Sequence, residues 1–153
     1  MDRGFAADNA AGLERLRTVL RGLTREQTAL PIPGGWTVAG ILGHLAFWDL
    51  RALQVAQRTA AQGPLPSPVD TDLVNEAMRP LMLALPPDDA VRICLSAAEG
   101  AAAAVAAASD ELLAALGAPE VRFNPLRSRH WHMHLDEIEQ ALAAAARPGA
   151  NAR

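Results

Sequence analysis

Three of the four histidines in the chain fall in "RHWHMH", at positions 130, 132 and 134; the fourth is His44, in "GGWTVAGILGHLAFWD". Imidazole moves protons near neutrality and is the commonest protein ligand for transition metals. On a helix, residues four apart lie about 40° apart around the axis, so His130 and His134 share a face and His132 is turned roughly 160° from both. The shared face also carries Leu126, Ile138 and Ala141, which makes it the apolar one. His44 lies on a second apolar stripe, with Ile41 and Trp48. Two inward faces can therefore bring three imidazoles together, a donor set that zinc accepts with its fourth position open. The competing reading is three core histidines, each hydrogen-bonded on its own. His132 is expected to face solvent or an interface.

Other groups near these faces are candidates by spacing. Arg51 follows His44 by seven residues and Arg127 precedes His130 by three; with Asn75 they are the expected substrate-binding residues. For each arginine the plainer reading is a solvated or salt-bridged surface group. Asp49 and Glu137 are spaced to stand behind the histidines and orient them, and no general base falls on the histidines' own face. Trp36 and Trp48 are expected to wall the core, and Trp131 to offer a helix–helix contact for a homodimer. Cys94 is the single cysteine, so no intrachain disulfide is possible, and it is expected as a small core residue.

The elements that must position these groups read as helices. β-branched and aromatic residues are few, and nothing alternates with period two. Leu13, Leu16, Leu20 and Leu23 predict a first helix over 8–22, capped by Asp8 or Asn9. Thr24 and Gln27 have capping-box spacing, and Pro31, Pro33, Gly34 and Gly35 break the chain. Thr37 caps a second helix running to about Gln62. A short helix over 71–85 follows, disturbed by Pro80, and a third long helix begins at Pro87 and runs through the alanine tract to about Ala108. "SDELLAALGAPE" is a short helix with a stop at Gly117. The last helix is expected after Asn124 as N-cap, with Pro125 in its first turn, as far as about Ala146. The fold class is all-α: a four-helix bundle with a long crossover between helices 2 and 3 and short extra helices, in one domain over residues 1–153.

Composition narrows the function classes. The chain has 153 residues, half of them hydrophobic, and a formal net charge of −3. Every basic residue is arginine, alanine is far above average usage, and both suit a GC-rich bacterial genome. The arginines form no stripe, which speaks against nucleic acid as a partner. Nothing reads as a signal peptide, and the alanine tract is too short for a membrane span. A cytoplasmic protein is the expectation.

"GGWTVAGILGHLAFWD" and "HWHMHLDEI" together resemble the marks of the DinB/YfiT-like superfamily of bacterial four-helix-bundle metalloenzymes. The first supplies Trp36, Thr37, His44 and Leu45, the second His130, His134 and Ile138. The resemblance covers nearly the whole chain. It departs at Gly40, where many relatives carry an acidic residue that would close a capping box with Thr37. The resemblance implies a divalent metal, usually zinc or nickel, held by His44, His130 and His134 with water in the open positions. Related proteins use bacterial thiols such as bacillithiol or mycothiol for isomerisation, conjugation or transfer. The expected partners are therefore a small thiol and an electrophile, and the expected function is a metal-dependent thiol S-transferase. A metal-dependent hydrolase and a non-catalytic stress-response protein with a structural metal are the alternatives.

Overall fold

Leu13, Leu16 and Leu20 are buried along one face of a helix, α1 (Gly4–Gly22), in the computed structural model, which describes residues 3–147. α1 begins four residues before the expected start. Arg3 is anchored there, its guanidinium donating to Asp110 Oδ1 (2.7 Å) and to the Ala108 carbonyl (2.9 Å). Asn9, expected as the cap of α1, lies inside it and is only 2% exposed. A single turn, α2 (Arg25–Thr28), follows with the capping box formed between Thr24 and Gln27.

Where only a chain break was expected there is a minimal hairpin. β1 (Pro31–Ile32) pairs antiparallel with β2 (Trp36–Thr37), in register Pro31↔Thr37 and Ile32↔Trp36. The turn needs φ of +82° at Gly34 and +80° at Gly35, backbone that glycine adopts without a Cβ penalty. The hairpin ends on Thr37, whose Oγ1 accepts the Gly40 N–H (3.1 Å) and starts α3 (Val38–Gln62). It therefore seats Trp36 directly before the helix that carries His44.

α4 (Thr71–Leu83), capped by Asp70, α5 (Pro87–Ala107) and α6 (Asp110–Leu116) come next. Pro80, expected to disturb this helix, lies inside α4, which continues through it to Leu83. α4 lies close over α3: a Cβ built at Gly40 would meet Leu83 Cδ2 at 2.8 Å, and one at Gly43 would meet Met82 Cβ at 3.3 Å. The Gly40 that departs from the superfamily pattern thus stands where the backbone of α3 receives α4.

The final helix, α7, spans Ser128–Ala145, three residues later than the expected start. Asn124 does not cap it; its Oδ1 accepts the Leu126 N–H (2.9 Å) in the preceding turn. The cap comes from far away in sequence. Asn9 Oδ1 accepts the Ser128 N–H (2.9 Å), and Asn9 Nδ2 donates to the Pro125 carbonyl (2.8 Å).

The four long helices, α1, α3, α5 and α7, share one core of Leu16, Leu42, Leu45, Cys94, Ala98, Trp131, Leu135 and Ile138, all buried. α3 packs most extensively on α5, α1 on α7 and α5, and α3 also meets α7. Buried Ala97, Ala98 and Ala101 let α5 approach closely. α5 as a whole, beyond its alanine tract, is long and apolar enough to cross a membrane by length and composition. Its apolar face, however, is the one that fills this core.

Candidate metal centre

His44 sits in the second turn of α3, and His130 and His134 sit one turn apart in α7. Ring centroids are 5.1 Å apart for His44–His130, 4.8 Å for His44–His134 and 4.9 Å for His130–His134. One nitrogen from each ring lies within 4.8 Å of the other two. The Nε2 atoms of His44 and His130 face each other at 3.1 Å. Two nitrogens at zinc-ligand distances in a tetrahedron are about 3.3 Å apart, so this spacing is close to that of two ligands of one ion.

The proton positions follow from the hydrogen bonds. His134 Nδ1 lies 2.7 Å from Glu137 Oε2, so Nδ1 carries the hydrogen, and in the neutral ring Nε2 carries the lone pair. That Nε2 is buried and has no hydrogen-bond partner, as has His44 Nδ1. A buried acceptor without a partner costs about 1–3 kcal/mol, and a bound cation would remove that cost. Burial, with the neighbouring His134, pulls His44 down to about 4; burial first, then His134, His44 and Arg127, pulls His130 lower still. Both are therefore neutral at physiological pH, the form that ligates. Neutral imidazoles, a free inward nitrogen and an acidic partner behind one ligand make this a donor set that fits a divalent transition metal.

A cavity of about 610 Å³ opens in front of the three rings. Trp36 and Trp48 stand edge-on to His44, at 5.7 and 6.4 Å between centroids, and both wall the cavity; of the two expected in the core wall, Trp36 packs against it. α4 adds Asp72, Asn75, Glu76 and Arg79 to the cavity lining. Asn75, expected near the site, accepts the Trp48 Nε1–H at 3.0 Å. Asp72, Glu76 and Arg79 were not expected. The signal was there: 71, 72, 75, 76 and 79 recur at helical spacing on one face. Arg79 pairs with Glu76 and stacks on Trp36, 5.2 Å from the ring centroid.

The other expected residues stand differently. Arg127 lines the cavity but is only 8% exposed, and its Nε and NH2 both donate to Asp49 Oδ1 (2.9 and 2.7 Å). Asp49 therefore serves Arg127 and orients no histidine; of the two acidic partners expected, Glu137 alone fills that role. Asp49 Oδ2 also accepts the Trp131 Nε1–H (2.7 Å). Trp131 is fully buried, which removes it as a dimer contact. Arg51 lies outside this cavity, stacked 5.9 Å from the Trp48 centroid and donating to Ser67 O and Oγ. His132 is half-buried, 3.0 Å from Arg15 NH1 and away from the other three. Cys94 is buried and its thiol is pushed well up by that burial, which makes it inert as a nucleophile.

A family model described as the mycothiol maleylpyruvate isomerase N-terminal domain matches residues 10–139. That family is a member of the DinB/YfiT-like superfamily. No curated protein and no solved structure matches.

Proposed function

We propose, from the premise that this chain belongs to the mycothiol maleylpyruvate isomerase N-terminal domain family, that it is a metal-dependent enzyme of thiol chemistry. His44, His130 and His134 hold one divalent ion, zinc or nickel. The cavity before them takes a small bacterial thiol, with mycothiol ahead of bacillithiol, together with the electrophile it attacks. The four long helices are read as a four-helix bundle, with α4 carried in the crossover between its second and third members, and the chain as one domain. The observation that carries the proposal is the buried, unpartnered Nε2 of His134 beside the facing Nε2 atoms of His44 and His130.

When bound, such an ion supplies a Lewis-acidic centre at which a thiol is deprotonated near neutrality. The chain supplies the rest. Glu137 holds His134 in the tautomer that presents Nε2. Trp36 and Trp48 exclude water from His44 and keep it neutral. The volume of about 610 Å³ lies in the range of small-molecule sites. Asn75 and Arg79 bring polar groups from α4 to the reactants' oxygens. In the reaction the thiol proton leaves to solvent and the sulfur bonds to an electrophilic carbon. Addition to a carbon–carbon double bond moves its electron pair to the neighbouring carbon; expulsion of the thiolate re-forms the double bond and gives isomerisation, whereas a proton taken from solvent at that carbon gives a conjugate.

One observation favours a second reading. Asp72 and Glu76 bring carboxylates to the cavity wall, as a hydrolase would need to activate water. The experiment separates the readings. Elemental analysis of protein purified without a histidine tag is expected to give one zinc or nickel per chain. Mycothiol added to cobalt-substituted protein is expected to shift the cobalt absorption bands. Bands indifferent to both thiols, with ester cleavage that depends on Asp72 or Glu76, would assign the site to the hydrolase. Metal that responds to neither would leave it a structural ion.

A further inference from the structure

A second, smaller compartment of about 260 Å³ adjoins the cavity and shares Trp48, Thr71, Asn124 and Arg127 with it. Its remaining polar lining is Arg51 and Arg122. Three guanidiniums therefore border one small space, and no carboxylate lines it. Asp49 matches the charge of Arg127. Neither Arg51 nor Arg122 is in an ion pair among the described residues.

Like charges do not gather without cost. Burial and the nearby Arg58 and Arg127 hold the Arg51 guanidinium below its ordinary value. Arg51 is nevertheless fixed in place, stacked on Trp48 and tied through one nitrogen to Ser67. Its Nε and NH1 have no partner in the protein among the described residues. Arg122 is the one non-glycine residue with positive φ (51°) among the described residues. This left-handed backbone costs a residue with a Cβ about 1–2 kcal/mol and is tolerated where the surroundings impose it. Here it occurs at the residue that adds the compartment's third cation.

We infer that this side compartment is an anion subsite, in which Arg51 and Arg122 bind an oxyanion carried by one of the small-molecule reactants. Guanidinium forks suit carboxylate and phosphate alike. Trp48 forms the shared wall, so an anionic tail held between the two arginines leaves the rest of the molecule extending toward the histidines. As a subsite of the reaction this rests on the proposed function; as an anion-binding compartment it stands without the metal.

The test is a titration of the full-length ¹⁵N-labelled protein with succinate and, separately, with inorganic phosphate, following the Trp48 indole and Arg51 Nε–H signals. Saturable shifts are expected with at least one anion, and the one that binds tells a carboxylate subsite from a phosphoryl one. Arg51→Gln and Arg122→Gln should each weaken binding about tenfold, the loss of one charge-assisted hydrogen bond. Unchanged far-ultraviolet circular dichroism and thermal midpoint would show that each variant is folded. His134→Ala should retain the binding even with its metal lost. No shift with either anion, or parent affinity retained in both glutamine variants, overturns the subsite. Binding abolished in His134→Ala overturns it too, by sending the anion to the metal cavity, and leaves the metal reading intact. A protein that binds anion here yet takes up no metal would refute the metal and keep the subsite.

Discussion

Glu137 Oε2 accepts the Nδ1–H of His134 at 2.7 Å, one turn along α7, and leaves the opposite nitrogen of the ring buried without a partner. A ligand oriented in this way binds metal more tightly, because its lone pair is already aimed and the carboxylate raises its basicity. Glu137→Ala is therefore expected to lower metal affinity by about 10- to 100-fold with little change in fold. Competition against a chromophoric chelator measures this. An affinity within a factor of two of the parent's would show that the Glu137 contact is incidental.

The clamp behind the site makes a second prediction. Asp49 is fully buried and takes three hydrogen bonds, two from Arg127 and one from Trp131. Arg127, at the N-cap of α7, and Trp131 within it flank His130, while Asp49 is on α3 with His44, so one carboxylate ties together the two helices that carry the histidines. Asp49→Ala strands the Arg127 charge in the interior and should cost about 3 kcal/mol or more in urea unfolding. Loss of under 1 kcal/mol would mean that water replaces the carboxylate.

A third prediction concerns acid. In chelator-treated protein His44 is held down to about 4 by burial, against roughly 6.5 in the unfolded chain. Between those values the unfolded state binds the extra proton, so the contribution to stability is complete above the unfolded value and is lost as pH falls through the window. His130, depressed in the same direction, extends the loss to lower pH. Urea midpoints should therefore fall steadily as the buffer is taken from neutrality toward pH 4, and His44→Gln should flatten part of that slope. A parent profile flat across the window would mean that neither ring is buried as described.

Gly12 and Gly22 provide a contrast within one helix. A Cβ at Gly12 would stand 2.6 Å from Ser128 Cβ, at the start of α7, whereas one at Gly22 meets nothing within 4 Å. Gly12→Ala should destabilise by about 1–3 kcal/mol through overpacking. Gly22→Ala should stabilise by a few tenths of a kcal/mol through lost unfolded-state freedom. Thermal melts of the two variants should move in opposite directions; movement in the same direction would contradict the α1–α7 packing.

The convergence of the three histidines was legible in the sequence because the geometry behind it is local. His130 and His134 are four apart on an apolar stripe, His44 is on another, and helix periodicity alone aims them inward. What escaped depends on contacts between distant segments. Asn9 reads as a cap for its own helix, yet the backbone it caps belongs to residue 128. Trp131 reads as turned away from His130, and it is; the direction it turns is into the core, because Asp49 offers its indole N–H a buried acceptor. Arg79, Asp72 and Glu76 reach the cavity only because α4 lies over Gly40 and Gly43, a placement no window of α4 encodes.

The last prediction separates neighbours in one short run. His132 and His134 are two residues apart, but His132 bonds to Arg15 on the α1 side while His134 faces His44. Density of histidine alone would make the two equivalent; helical geometry makes them opposites. His134→Ala should abolish metal uptake, since two imidazoles remain and the oriented ligand is gone. His132→Ala should leave metal content at the parent level and cost at most about 1 kcal/mol, the worth of one partly exposed hydrogen bond. Elemental analysis of both variants, purified side by side without a histidine tag, reads the outcome. Equal metal loss in both would mean that the ion is held by the run as a flexible cluster, and the three-ring site would fall with it.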